Sequence, residues 1–142
     1  MQADAHLAMN AFATQLGSIS AFFGGVAVAF LGLLIFANNR SRLMEGTIGA
    51  FVTAAVCFIV SALAATIISV GVLPGASRDI ANRSYLMTTL VLMNGSFVVG
   101  IVALLSGIMA SGWLRSRTTG YTTTAIGALG LLAVLWLSIR VG

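Results

Sequence analysis

The sequence predicts an all-α integral membrane protein: a bundle of four transmembrane helices, built as two tandem parallel helical-hairpin repeats and preceded by an interfacial N-terminal helix. Three observations carry this expectation. Of the 142 residues, 59 % are hydrophobic and only 7 % are charged, whereas soluble domains average about 25 % charged residues. Mean hydropathy is +1.08, too high for a surface that faces water. The apolar residues also fall into four long runs separated by short polar breaks. Each run is long enough for a bilayer core, which takes about 20 residues at 1.5 Å each. Backbone groups in hydrocarbon find no water, so such runs must be helical.

The segment 1–16 contains no Lys or Arg. It lacks the basic n-region and compact h-region of a signal peptide, so no cleavage is expected. Ala5, Met9, Phe12 and Leu16 recur at helical spacing, while Gln2, Asp4, His6, Asn10 and Gln15 fall largely elsewhere on the wheel. That pattern predicts an amphipathic segment lying on the membrane. The first apolar run is Gly17 to Ala37, ended by Asn38-Asn39-Arg40-Ser41-Arg42. The second, Gly46 to Leu73, meets Pro74-Gly75, a pair that cannot continue a helix. Tyr85 to Gly112 and Tyr121 to Ser138 form the third and fourth. The organisation is therefore 1–16 interfacial segment, 17–73 first hairpin, 74–84 loop and 85–142 second hairpin.

The middle runs are longer than a span requires. About 28 residues make roughly 42 Å of helix against a core of about 30 Å, so these helices tilt or project. In the linker, Ser77 suits an N-cap, Asp79 the first turn, and Arg83 pairs with Asp79 at helical spacing. This predicts a third helix starting near Arg78, outside the lipid. Trp113 and Tyr121 bracket one loop, with Tyr85 and Trp136 at the opposite headgroup level.

A shift of 75 residues aligns the first and third runs without a gap. Phe22 falls on Phe97, Gly25 on Gly100 and Gly32 on Gly107. Arg40-Ser41-Arg42 falls on Arg115-Ser116-Arg117, then Thr47 on Thr122 and Ala50 on Ala125. The matches predict a tandem duplication whose halves are related by an axis along the membrane normal.

Net charge is +4, from seven Arg and no Lys against three acidic residues. The Arg residues stand singly or in pairs between apolar runs, with no basic stripe, so nucleic acid is not the expected partner. Topology and contact with anionic lipid headgroups account for them. Arg40, Arg42, Arg115 and Arg117 fall on one side; Arg78, Arg83 and Arg140 fall on the other. Positive loops stay cytoplasmic, so the expectation is a bacterial inner (plasma) membrane with both termini outside.

The runs hold no Asp, Glu, Lys, Arg or His well inside them. Proton relays, ion-coupled transporters and voltage sensors rely on such groups. Paired carboxylates, a nucleophile with its base, and a metal-ligand cluster are missing too. The single His6 lies outside the runs, and the single Cys57 reads as a small buried hydrophobe. No cofactor or metal is expected, and the chain is not expected to be an enzyme.

What the runs do carry is small residues at packing intervals. Ala21, Gly25 and Gly32 fall in the first, Ala50 in the second, and Gly100 and Gly107 in the third. In lipid, helices associate by close approach of such residues. Asn94, beside Gly95 and Ser96, is the most polar side chain within a run. It is expected to bond across to another helix or, with Ser96, Thr88 and Thr89, to line a pore. The expected function is a non-catalytic structural or accessory subunit, assembling with itself or with other membrane subunits. The alternative is a channel for an ion or small neutral solute.

Overall fold

The computed structural model describes residues 2–36, 41–71 and 83–141. They form four helices and no strand: α1 (Gln2–Phe36), α2 (Arg42–Gly71), α3 (Arg83–Arg115) and α4 (Arg117–Val141). Among the described residues, three stretches are long and apolar enough to cross a membrane, namely Leu7–Phe36, Arg42–Gly71 and Ser84–Arg115. At 30 to 32 residues each is roughly 45–48 Å long, well beyond a hydrocarbon core. The fourth helix has 25 residues.

The N-terminal segment differs from expectation. Residues 2–16 are not a helix of their own; they continue without a break into α1, which runs for 35 residues. No proline or cluster of breakers stops the helix at Gly17, and packing holds it there. An added Cβ on Gly17 would lie 3.1 Å from Ala65 Cβ, so the absent side chain lets α1 close on α2. Ala13, with Met9 and Leu16 beside it, joins Ala64, Ala65, Ile68 and Met93 in one apolar cluster. Phe12 of the same stripe points outward. The Ser77, Asp79 and Arg78 features of the linker, and Arg40, lie outside the described residues.

Serine caps start two of the helices. Ser41 Oγ accepts the Met44 N–H at 3.2 Å, and the Ser41 carbonyl accepts the N–H groups of Met44 and Glu45. Ser116 Oγ accepts the Thr119 N–H at 3.1 Å, and its carbonyl accepts from Gly120 at 2.9 Å. Each satisfies donors that a helix N-terminus leaves free. Glu45 in the first turn of α2, and Arg115 and Arg140 in the last turns of α3 and α4, suit the helix dipole.

The chain divides into two compact units, Met1–Val26 with Ala55–Gly100, and Ala27–Ala54 with Ile101–Gly142. In the first, Phe23 stacks on Phe58 at 5.6 Å between ring centroids, and Phe97 meets Phe58 edge-on at 5.9 Å. Gly100 gives Phe58 its seat: a Cβ there would lie 3.0 Å from the ring. In the second, Phe30 stacks on Phe51 at 5.3 Å, and Gly107 seats the Phe51 ring at 3.1 Å. The same three-part contact thus occurs in each unit, with Phe of α1 on Phe of α2 on Gly of α3. Its members are spaced by seven in every helix: 23 and 30, 51 and 58, 100 and 107. Seven residues are close to two helical turns, which keeps each set on one stripe. In the second unit, α4 also closes on α3 through glycines, Gly120 against the Trp113 ring and Gly127 against Met109.

Candidate functional site

The deepest polar chemistry lies in the first unit, where three helices each contribute one residue. Ser20 of α1 donates to Ser61 Oγ of α2 at 3.1 Å, and Ser61 donates to the Met93 carbonyl of α3 at 3.2 Å. All three residues are fully buried. A hydroxyl in an apolar interior is costly unless bonded, so the chain Ser20–Ser61–Met93 fixes how these helix segments meet. Ser61 falls near the middle of its apolar run, where a lone hydroxyl was a weak available signal; Ser20, fourth in its run and two residues from Ser18, carried none.

Most remaining internal hydroxyls serve their own helices, although Thr123 of α4 also reaches the Met109 carbonyl of α3 at 3.5 Å. Thr47 bonds the Leu43 carbonyl at 2.8 Å, Thr89 that of Tyr85 at 2.8 Å, and Ser106 that of Val102 at 2.7 Å. This back-bonding is the usual fate of Ser and Thr within a helix. Every buried side-chain N or O among the described residues has a partner. No three His, Cys, Asp or Glu come together among the described residues.

The polar residues of α3 do not share a face. Thr89 is buried and Ser96 half-buried, whereas Thr88 and Asn94 are exposed. At about 100° per residue, Asn94 lies roughly 140° around the helix from Thr89. Thr88 bonds the Ser84 carbonyl at 3.0 Å; Asn94 makes no side-chain hydrogen bond among the described residues. The small residues divide likewise. Gly100 and Gly107 are buried against phenylalanine rings. Ala21 and Gly25 are exposed, Gly32 and Ala50 half-buried, and nothing lies within 4 Å of a Cβ added at Gly25 or Gly32.

Two grooves open on the first unit. One, of about 440 Å³ between α1 and α2, is lined by small and hydroxyl side chains including Ala13, Thr14, Gly17, Ser18 and Thr66. The other, of about 290 Å³ between α2 and α3, is walled by Leu63, Ile67 and Leu92, with Tyr85 and Thr88 among its lining residues.

The second unit holds both Ser caps of the Arg-Ser-Arg tripeptides. Arg42 and Arg117 are exposed at the first helical position after each cap. A cation there opposes the helix dipole, so these arginines do not serve their helices. Beside the second cap, Trp113 Nε1 donates to Thr124 Oγ1 at 3.0 Å, and Tyr121 meets the indole edge-on at 5.1 Å. Arg140 lies over the Trp136 ring, 4.9 Å from its centroid.

No protein-family profile matches the chain, and no curated protein or solved structure shows significant similarity to it.

Proposed function

We propose that the chain is a non-catalytic four-span membrane protein, a structural or accessory subunit that assembles with copies of itself or within a larger membrane complex. The observation that carries this reading is the outward placement of small residues. Gly25 and Ala29 are exposed on α1, with nothing within 4 Å of a Cβ added at Gly25, while Ala21, also exposed, lines the groove beside α2. Lipid tails gain nothing by filling such a face, whereas another helix gains close backbone approach. Within the chain only 17 % of the most apolar stretch of α1 and 22 % of that of α3 is buried, against 44 % for α2. The internal hydroxyls support the same reading, since they are spent on helix carbonyls and on each other.

The fourth helix completes the four spans in this reading, its 25 residues making roughly 37 Å. The duplication rests on Ser41 and Ser116, which stand 75 apart in sequence and cap their helices in the same way. The arginines around these caps contact anionic headgroups on the cytoplasmic side of a bacterial inner membrane, leaving both termini outside.

The hydroxyl-lined groove between α1 and α2 favours a second reading, a pore closed by a neighbouring copy. Flux through liposomes containing the purified protein decides between them. A subunit is inert alone, and a solute conductance above that of empty liposomes overturns the accessory reading.

A further inference from the structure

We infer that α3 forms a symmetric homodimer seam centred on Asn94, with a second copy of this chain as the occupant. The inference rests on the membrane-subunit reading above and names the partner and the face. Asn94 stands about eleven residues into a helix of 33, roughly 16 Å along it and about 8 Å short of its midpoint. That places the amide within the hydrocarbon when α3 spans. Its side chain is exposed and makes no hydrogen bond among the described residues. An amide in lipid without a partner is costly, because no water satisfies it.

The seam has the spacing of a helix–helix contact. Met87, Val91, Asn94 and Val98 recur at intervals of four, three and four, which is the a/d pattern of a packed helix pair. Met87 is 53 % and Val91 74 % exposed, and Val98 is half-buried. Gly95 beside them is also exposed, with nothing within 4 Å of an added Cβ, so a second backbone can come close. An identical copy suits this face better than an unrelated helix. The carboxamide carries both donor and acceptor, so two Asn94 side chains across a two-fold axis satisfy one another. A two-fold interface sets the same patch against itself, and an axis along the membrane normal keeps both α3 helices parallel.

The test is cysteine cross-linking of the full chain in membranes, in a Cys57→Ala background. Val91→Cys is compared with Val56→Cys, an exposed position on α2 that reports random collision. Mild oxidation is expected to give disulfide-linked dimer for Val91→Cys at several times the Val56→Cys yield. Adding Asn94→Leu is expected to lower that yield by roughly threefold to fifteenfold, the range of single interhelical hydrogen bonds in lipid, with helicity unchanged by circular dichroism. Equal yields at the two positions overturn the seam, as does a Val91→Cys yield indifferent to Asn94→Leu. A Val91→Cys adduct with a different protein overturns self-association while leaving the subunit reading standing. No adduct, together with an intact particle of one chain, removes both.

Discussion

Ser61 donates its hydroxyl to the backbone carbonyl of Met93 at 3.2 Å, so a side chain of α2 bonds directly to the main chain of α3 in a fully buried position. That carbonyl belongs to the residue just before Asn94. One face of α3 is thereby fixed inward at the level where the neighbouring residue turns outward. Ser20 extends the bond to α1, and the three helix segments of the first unit share one polar tie.

Removing Ser61 therefore costs more than removing Ser20. Ser61→Ala loses two interhelical bonds and Ser20→Ala one, at roughly 0.5–1.5 kcal/mol per bond. Ser20 can also turn to its own helix carbonyl once Ser61 is gone. Unfolding in mixed micelles should show a larger loss for Ser61→Ala, and the double variant should cost less than the two single losses added together. Equal and additive losses would mean the serines act separately.

Gly25 and Gly100 give opposite responses although the 75-residue shift aligns them. A Cβ at Gly100 meets the Phe58 ring at 3.0 Å, and that ring is pinned by Phe23 and Phe97. Gly100→Val should destabilise by about 1–3 kcal/mol through overpacking. Gly25→Ala meets open space and should leave the monomer unchanged, or stabilise it by up to about 1 kcal/mol from helix propensity. Thermal unfolding of the two variants, each against the parent, checks the contrast.

The caps predict a matched pair of effects. Ser41→Ala and Ser116→Ala should each cost about 1 kcal/mol, and the corresponding Asn variants should restore most of it. Ser116 matters more for geometry, because it alone separates α3 from α4. Near-ultraviolet circular dichroism of the Trp113–Tyr121 pair should change for Ser116→Ala and not for Ser41→Ala.

Replacing Arg40, Arg42, Arg115 and Arg117 together by Gln should weaken binding to anionic vesicles by about 1 kcal/mol per residue near the surface, and should loosen the orientation of the chain. Labelling of engineered terminal cysteines from either side of the membrane reads the orientation. A fixed orientation after all four changes would leave the arginine-based topology without support.

The helical class and the positions of α2 and α3 were legible in the sequence because run length and composition alone dictate them in lipid. The continuity of α1 was not. The weakly apolar stretch 2–16 reads as a separate surface segment until Ala13 and Gly17 are seen packed on Ala65 and Ile68. Among the polar residues, Asn94 drew notice by its side-chain type, while Ser20 and Ser61 looked ordinary. Hydroxyl burial depends on which helix faces which, and one chain's periodicity does not encode that. The phenylalanine–glycine contacts had a usable signal in their common spacing of seven. It was obscured by the small residues Ala21, Gly25 and Gly32 of the first run, of which Gly25 and Gly32 meet open space instead.

The most direct test of the account is the mass of the intact particle after gentle extraction from its own membrane, with whatever proteins stay bound. The expected particle holds at least two copies of the 14.6 kDa chain, or the chain together with other membrane proteins. A particle holding one copy and no other protein contradicts the account.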